Sequence, residues 1–191
     1  METTELEKTG ACKEAIFYVR TQKNYEEAWY NCSRGDWMLW VADKLQINKR
    51  LLTLAKGKCA ATVLHLMQDK RSKDAIQAAI DYGNGLISDE ELKNAVAAAH
   101  AAYHAAYVAY AYTAAADAAA DADAAAAATA TDAAAYAAYA VADAAAGAAA
   151  ANAAAYAADT NAAKEKNLQE TADICRDLLT KEVFNKWNQN I

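Results

Sequence analysis

A chain of 191 residues with no proline, six glycines and a formal net charge of −6 has room for one folded unit and few devices for interrupting a helix. The acidic balance argues against general nucleic-acid binding. Strand-length alternation of β-branched and aromatic residues is missing, which argues against a sheet.

The expected fold class is therefore all-α: a helical bundle with short N-terminal helices (1–87) packed on long antiparallel alanine-rich helices and a C-terminal helix (88–191), as one folded unit. Met1 to Gly10 is polar and glutamate-rich, so no signal peptide is expected. Helical spacing of apolar residues predicts helices over Cys12–Arg20 and Tyr25–Cys32. Ser33-Arg34-Gly35-Asp36 reads as a turn, with Asp36 suited to cap a helix over Trp37–Leu45. Asn48 is expected to cap a longer helix reaching Leu66, and Ser72 or Asp74 to open the next. That helix should stop at Tyr82-Gly83-Asn84-Gly85, where glycine supplies the left-handed turn. Ser88-Asp89-Glu90-Glu91 is a capping box.

Beyond it, about two thirds of the residues from Ala95 to Ala163 are alanine, the strongest helix former. A single helix of that length would be improbable in a globular protein, so a reversal is expected near Ala128–Asp132, capped by Thr129, Thr131 or Asp132. A second break at Asp159-Thr160-Asn161 leads to a C-terminal helix over Ala163–Trp187. Asn94–Ala116 has membrane-spanning length, yet it is mostly alanine with histidines and tyrosines, so no membrane span is expected. Cys12, Cys32, Cys59 and Cys175 are widely spaced, which fits buried thiols and a cytoplasmic location better than a disulfide frame or zinc site.

Charge is unevenly distributed. Lys49 to Lys73 carries seven bases (Lys49, Arg50, Lys56, Lys58, Lys70, Arg71, Lys73) against Asp69, whereas Ala95 to Ala163 carries six aspartates and no base. The asymmetry could join two parts of one fold, join two subunits, or recruit an anion. At 100° per residue, His100, Tyr103, His104, Tyr107, Tyr110, Asp117 and Asp121 fall on one face roughly 140° wide. Tyrosines on an otherwise alanine helix suit stacking or anchoring a partner, and they equally suit filling the gap to the N-terminal helices. His100 and His104, one turn apart, have no third metal ligand nearby in sequence, so no metal is expected there. The Asp117/Asp121 pair reads as a solvated face or as partners of the basic segment. His65 reads as core or boundary. Trp37 and Trp40, beside Arg34 and Asp36, serve either a core or a ligand wall. No glycine-rich phosphate loop, nucleophile elbow or Cys/His pair points to catalysis, and no cofactor is implied.

Arg34-Gly35-Asp36-Trp37-Met38-Leu39-Trp40, read beside the alanine, tyrosine and aspartate repeats, resembles a family of alanine-rich bacterial and phage proteins named as immunity proteins by association with polymorphic toxin systems. The likeness spans about Ala11 to Leu179 and includes Glu27-Ala28-Trp29, the Asp74–Ile80 helix and Ala172-Asp173-Ile174-Cys175-Arg176. It implies a non-catalytic binding protein that neutralises a toxin-like protein partner. The alternative is a phage-type anti-defence protein that sequesters a nucleotide-derived signal. There the tyrosines would stack the base while Arg34 or the Lys49–Lys73 segment holds phosphate. A metal-dependent enzyme using His100 and His104 is the third reading. The candidate ligand-binding residues are accordingly His100, Tyr103, His104, Tyr107, Tyr110, Arg34, Trp37 and Trp40. Alanine faces also pair readily, so a homo-oligomer is expected.

Overall fold

The computed structural model describes residues 4–67, 69–101 and 161–189. Every regular element among them is helical, and the protein is an all-α helical bundle. In chain order these are α1 (Thr4–Lys8), α2 (Lys13–Thr21), α3 (Tyr25–Asn31), α4 (Gly35–Lys44), α5 (Lys49–Ala61), a 3-10 turn (Leu64–Leu66), α6 (Lys70–Gly83), α7 over 89–101, and α8 (Asn161–Gln189). The expected tract reversal near Ala128–Asp132 and the tyrosine and aspartate stripes beyond 101 lie outside the described residues.

Local chemistry explains the boundaries. The Asn48 side chain accepts from the Arg50 and Leu51 amides and starts α5. Ser88 and Glu91 form the reciprocal box: the Glu91 amide donates to Ser88 Oγ at 3.3 Å and the Ser88 amide to Glu91 Oε2 at 2.8 Å. Gly85, at φ +78°, turns the chain out of α6 as glycine readily does. Three boundaries differ from expectation. The helix α4 begins at Gly35 with no side-chain cap, because the Asp36 carboxylate is bound by Arg34 instead. Asp69, not Ser72 or Asp74, caps α6; Ser72 lies on the buried face. The Thr62 hydroxyl donates to the Cys59 carbonyl where α5 stops at Ala61, short of Leu66. His65 is exposed rather than core, and Cys12 is exposed at the start of α2 while the other three thiols are buried.

Two apolar clusters hold the bundle together. One joins α5, α6 and α7 through Ala60, Val63, Ile76, Ala79, Tyr82 and Leu92. The other joins α3, α4, α5 and α8 through Trp29, Met38, Leu39, Cys59, Cys175, Leu179 and Val183, among others. Helices α5 and α6 run antiparallel, with Gly57 against Ala79 and Ile80, and Gly83 against Leu54. Helix α8 is antiparallel to α5, since Asn167 bonds Thr62 at one end and Glu182 accepts from the Asn48 amide at the other. The α4–α8 crossing needs a residue without Cβ: a methyl at Gly35 would lie 2.6 Å from the Thr171 carbonyl carbon. Among the described residues no helix is long and apolar enough to cross a membrane.

Candidate functional site

Arg34, Trp37 and Trp40 are the nominated residues whose geometry the described chain shows most fully. Arg34 lies just before α4 and grips Asp36 with two bonds, Nε to Oδ1 at 2.8 Å and Nη2 to Oδ2 at 2.5 Å. Those bonds hold the Arg34 pKa above its ordinary value. Asp36 is almost wholly buried, its side chain 3% exposed. The guanidinium carbon sits 4.6 Å from the Trp37 ring centroid, and that ring tilts against Tyr18 at 5.8 Å. Trp40, one turn further along α4, is half-buried and receives Lys44 at 5.5 Å. The fold thus joins Arg34 to Trp37, with the Nε and Nη2 donors spent on Asp36 and the arginine side chain still 35% exposed. His100 sits half-buried on α7. Tyr103, His104, Tyr107 and Tyr110 lie outside the described residues.

Much of the basic segment meets acids of the described helices. Lys49 pairs with Asp89 at 2.7 Å, Lys70 with Asp74 at 2.6 Å and Arg71 with Asp69 at 2.7 Å. Arg50 donates to the Tyr82 carbonyl at 2.6 Å and stacks on its ring at 4.2 Å. Lys56, 1% exposed, lies 4.0 Å from Asp43. Outside residues 95–163 the chain carries 19 acids and 19 bases, so the whole net charge of −6 resides in that stretch.

A groove that sequence reading did not nominate opens between α3 and α8. Tyr30, Asp173, Arg176, Asp177 and Thr180 line a shallow, open space of about 530 Å3. Arg176, its side chain 16% exposed, donates to the Cys32 carbonyl at 2.6 Å and the Tyr30 carbonyl at 3.3 Å, and pairs with Asp173. Thr180 accepts from Trp29 Nε1 at 2.9 Å and donates to the Arg176 carbonyl at 2.5 Å. Tyr30 is 50% exposed, and its ring rests 5.7 Å from Phe184. Phe184 in turn abuts Trp187 at 5.3 Å, and Trp187 abuts Tyr25 at 5.7 Å. The result is an aromatic surface continuous with a polar groove. Its two walls are joined by a hydrogen bond spanning 146 residues, a separation no local motif reveals. The i, i+4 spacing of Asp173 and Asp177 was the one visible hint.

Covalent chemistry finds little support in the buried thiols. Burial pushes Cys32 up, and the hydrogen bond with Cys59, with burial added, pushes Cys175 well up, which disfavours the reactive thiolate. Among the described residues no group of three or more His, Cys, Asp or Glu side chains is placed to hold a metal. No family model, curated protein or solved structure matches the chain.

Proposed function

We propose that this chain is a non-catalytic binding protein that neutralises a protein partner of toxin-like kind. The observation that carries the reading is the open α3–α8 surface. Exposed Tyr30 and half-buried aromatics adjoin a partly polar groove whose walls are fixed to the core. Partner-binding surfaces concentrate aromatic anchors in this way. The acidic surplus of residues 95–163 adds a field that favours a basic partner and speeds its capture.

Sequestration of a nucleotide-derived signal has less to work with. Arg34, Lys49, Lys70 and Arg71 already meet acids, which leaves Lys58 and Lys73, on different helices, as the exposed cations of that segment without an acid partner among the described residues. The test is capture on the immobilised full-length chain from extract of its native host, followed by assay of the captured protein. The proposal expects one specific protein whose own activity falls as the chain is added in stoichiometric amount. Persistent failure to capture one, or a captured protein that keeps its activity, contradicts it. A nucleotide giving a saturable rise of several degrees in thermal midpoint would support the sequestration reading instead.

A further inference from the structure

Resting on that reading, we infer that the groove between α3 and α8 seats a cationic side chain of the partner, an arginine or lysine whose head group meets Asp177 and whose stem lies along Tyr30. Three features of the groove point to this occupant. Asp177 is exposed and has neither hydrogen bond nor ion pair among the described residues. Asp173, one turn away, is partly committed: it pairs with Arg176 and accepts from Gln169 Nε2 at 3.1 Å. The Arg176 charge is answered by Asp173 and by the last carbonyls of α3, so the carboxylate left open to the groove is that of Asp177.

The second feature is the ring. Tyr30 is half exposed, and its ring packs against Phe184 at a tilt, centroid to centroid 5.7 Å. An aromatic ring beside a free carboxylate accommodates a cation with an apolar stem. The head group takes the charge-assisted bond while the methylenes cover the ring. The third is that the walls are set before binding. Thr180 donates to the Arg176 carbonyl and accepts from Trp29 Nε1, and Arg176 is held by two carbonyls, so these two lining side chains need little ordering on association.

Other occupants fit the charges less well. An anionic ligand would face Asp173 and Asp177 together. An apolar segment would bury the Asp177 carboxylate without a partner. A second copy of this chain brings a further −6 to the encounter.

The test is an amide NMR titration of the isotope-labelled full-length protein with three capped pentapeptides, glycines flanking a central arginine, lysine or glutamate. The arginine and lysine peptides should shift the amides of Tyr30, Asp173, Asp177 and Thr180 saturably, and the glutamate peptide should not. Asp177→Asn should weaken the arginine peptide about fivefold and Tyr30→Ala about threefold, with further weakening as salt rises. Equal shifts with the glutamate peptide, shifts mapping elsewhere, or unchanged affinity in both variants would overturn the assignment. So would sedimentation showing a dimer that Tyr30→Ala dissolves, since the groove's occupant would then be a second copy. If the Asp177→Asn/Tyr30→Ala double variant captures the host protein as strongly as the unaltered chain, the groove assignment falls and the partner-binding reading stands. If no host protein is captured while the arginine peptide still titrates the groove, the groove stands and that reading falls.

Discussion

Two faces of this bundle are built from the same three residue types, an arginine, an aspartate and a ring, and they end in opposite states. At the start of α4, Arg34 spends two donors on one buried aspartate, and its guanidinium lies over Trp37. Along α8, Arg176 spends donors on backbone carbonyls of α3 and on Asp173, leaving Asp177 and the exposed Tyr30 ring facing solvent. Burial decides the difference. A carboxylate taken almost out of water needs its full complement of partners, whereas an exposed one can wait for a ligand. The carboxylate beside Arg34 is thus committed within the fold, whereas Asp177 beside Arg176 faces solvent without a partner among the described residues.

Substitutions can break that contrast. The largest effect is expected from Arg34→Met, which leaves the Asp36 carboxylate buried without its cation. Urea unfolding should show a loss of about 2–4 kcal/mol. A loss under about 0.5 kcal/mol would mean that Asp36 rehydrates and that the pair is not structural. Arg176→Met comes next. It removes the bonds to the Tyr30 and Cys32 carbonyls, and the same measurement should show a cost of about 1–2 kcal/mol.

A smaller effect concerns Tyr18, which packs on Trp37 and donates to the Ala28 carbonyl at 2.9 Å. Burial pushes its pKa from an ordinary 10 up to about 12. Below pH 10 the phenol is protonated in both folded and unfolded chains, and its contribution is complete. Between about 10 and 12 the unfolded chain loses the proton first, so stability falls as pH rises through that window. Tyr18→Phe should flatten this fall in a series of unfolding curves. An unchanged slope would remove Tyr18 from the α4 face.

Legibility followed the range of the interaction. The Asn48 cap and the Ser88–Glu91 box could be read from the sequence because each closes within three residues. Asp36 could not, because capping and pairing with Arg34 compete for one carboxylate, and the charge-assisted bonds prevail. Apolar periodicity carried the expected α5 too far, since Val63 and Met67 stay in the core after the helix has ended. The α3–α8 groove was invisible because Tyr30 and Arg176 stand 146 residues apart. Glu27-Ala28-Trp29 and Ala172–Arg176 stood out as separate elements in the sequence. The fold sets them side by side, with Trp29 donating to Thr180 and Arg176 to Tyr30.

The most direct measurement compares Arg34→Met with Asp177→Asn in two assays on the same preparations, urea unfolding and titration with the arginine peptide. The account predicts that the first variant loses stability and keeps its peptide affinity. It predicts that the second keeps its stability within about 0.5 kcal/mol and binds the peptide about fivefold more weakly. The reverse pattern, with the peptide lost from Arg34→Met and retained by Asp177→Asn, would place the vacant face at α4 and contradict it.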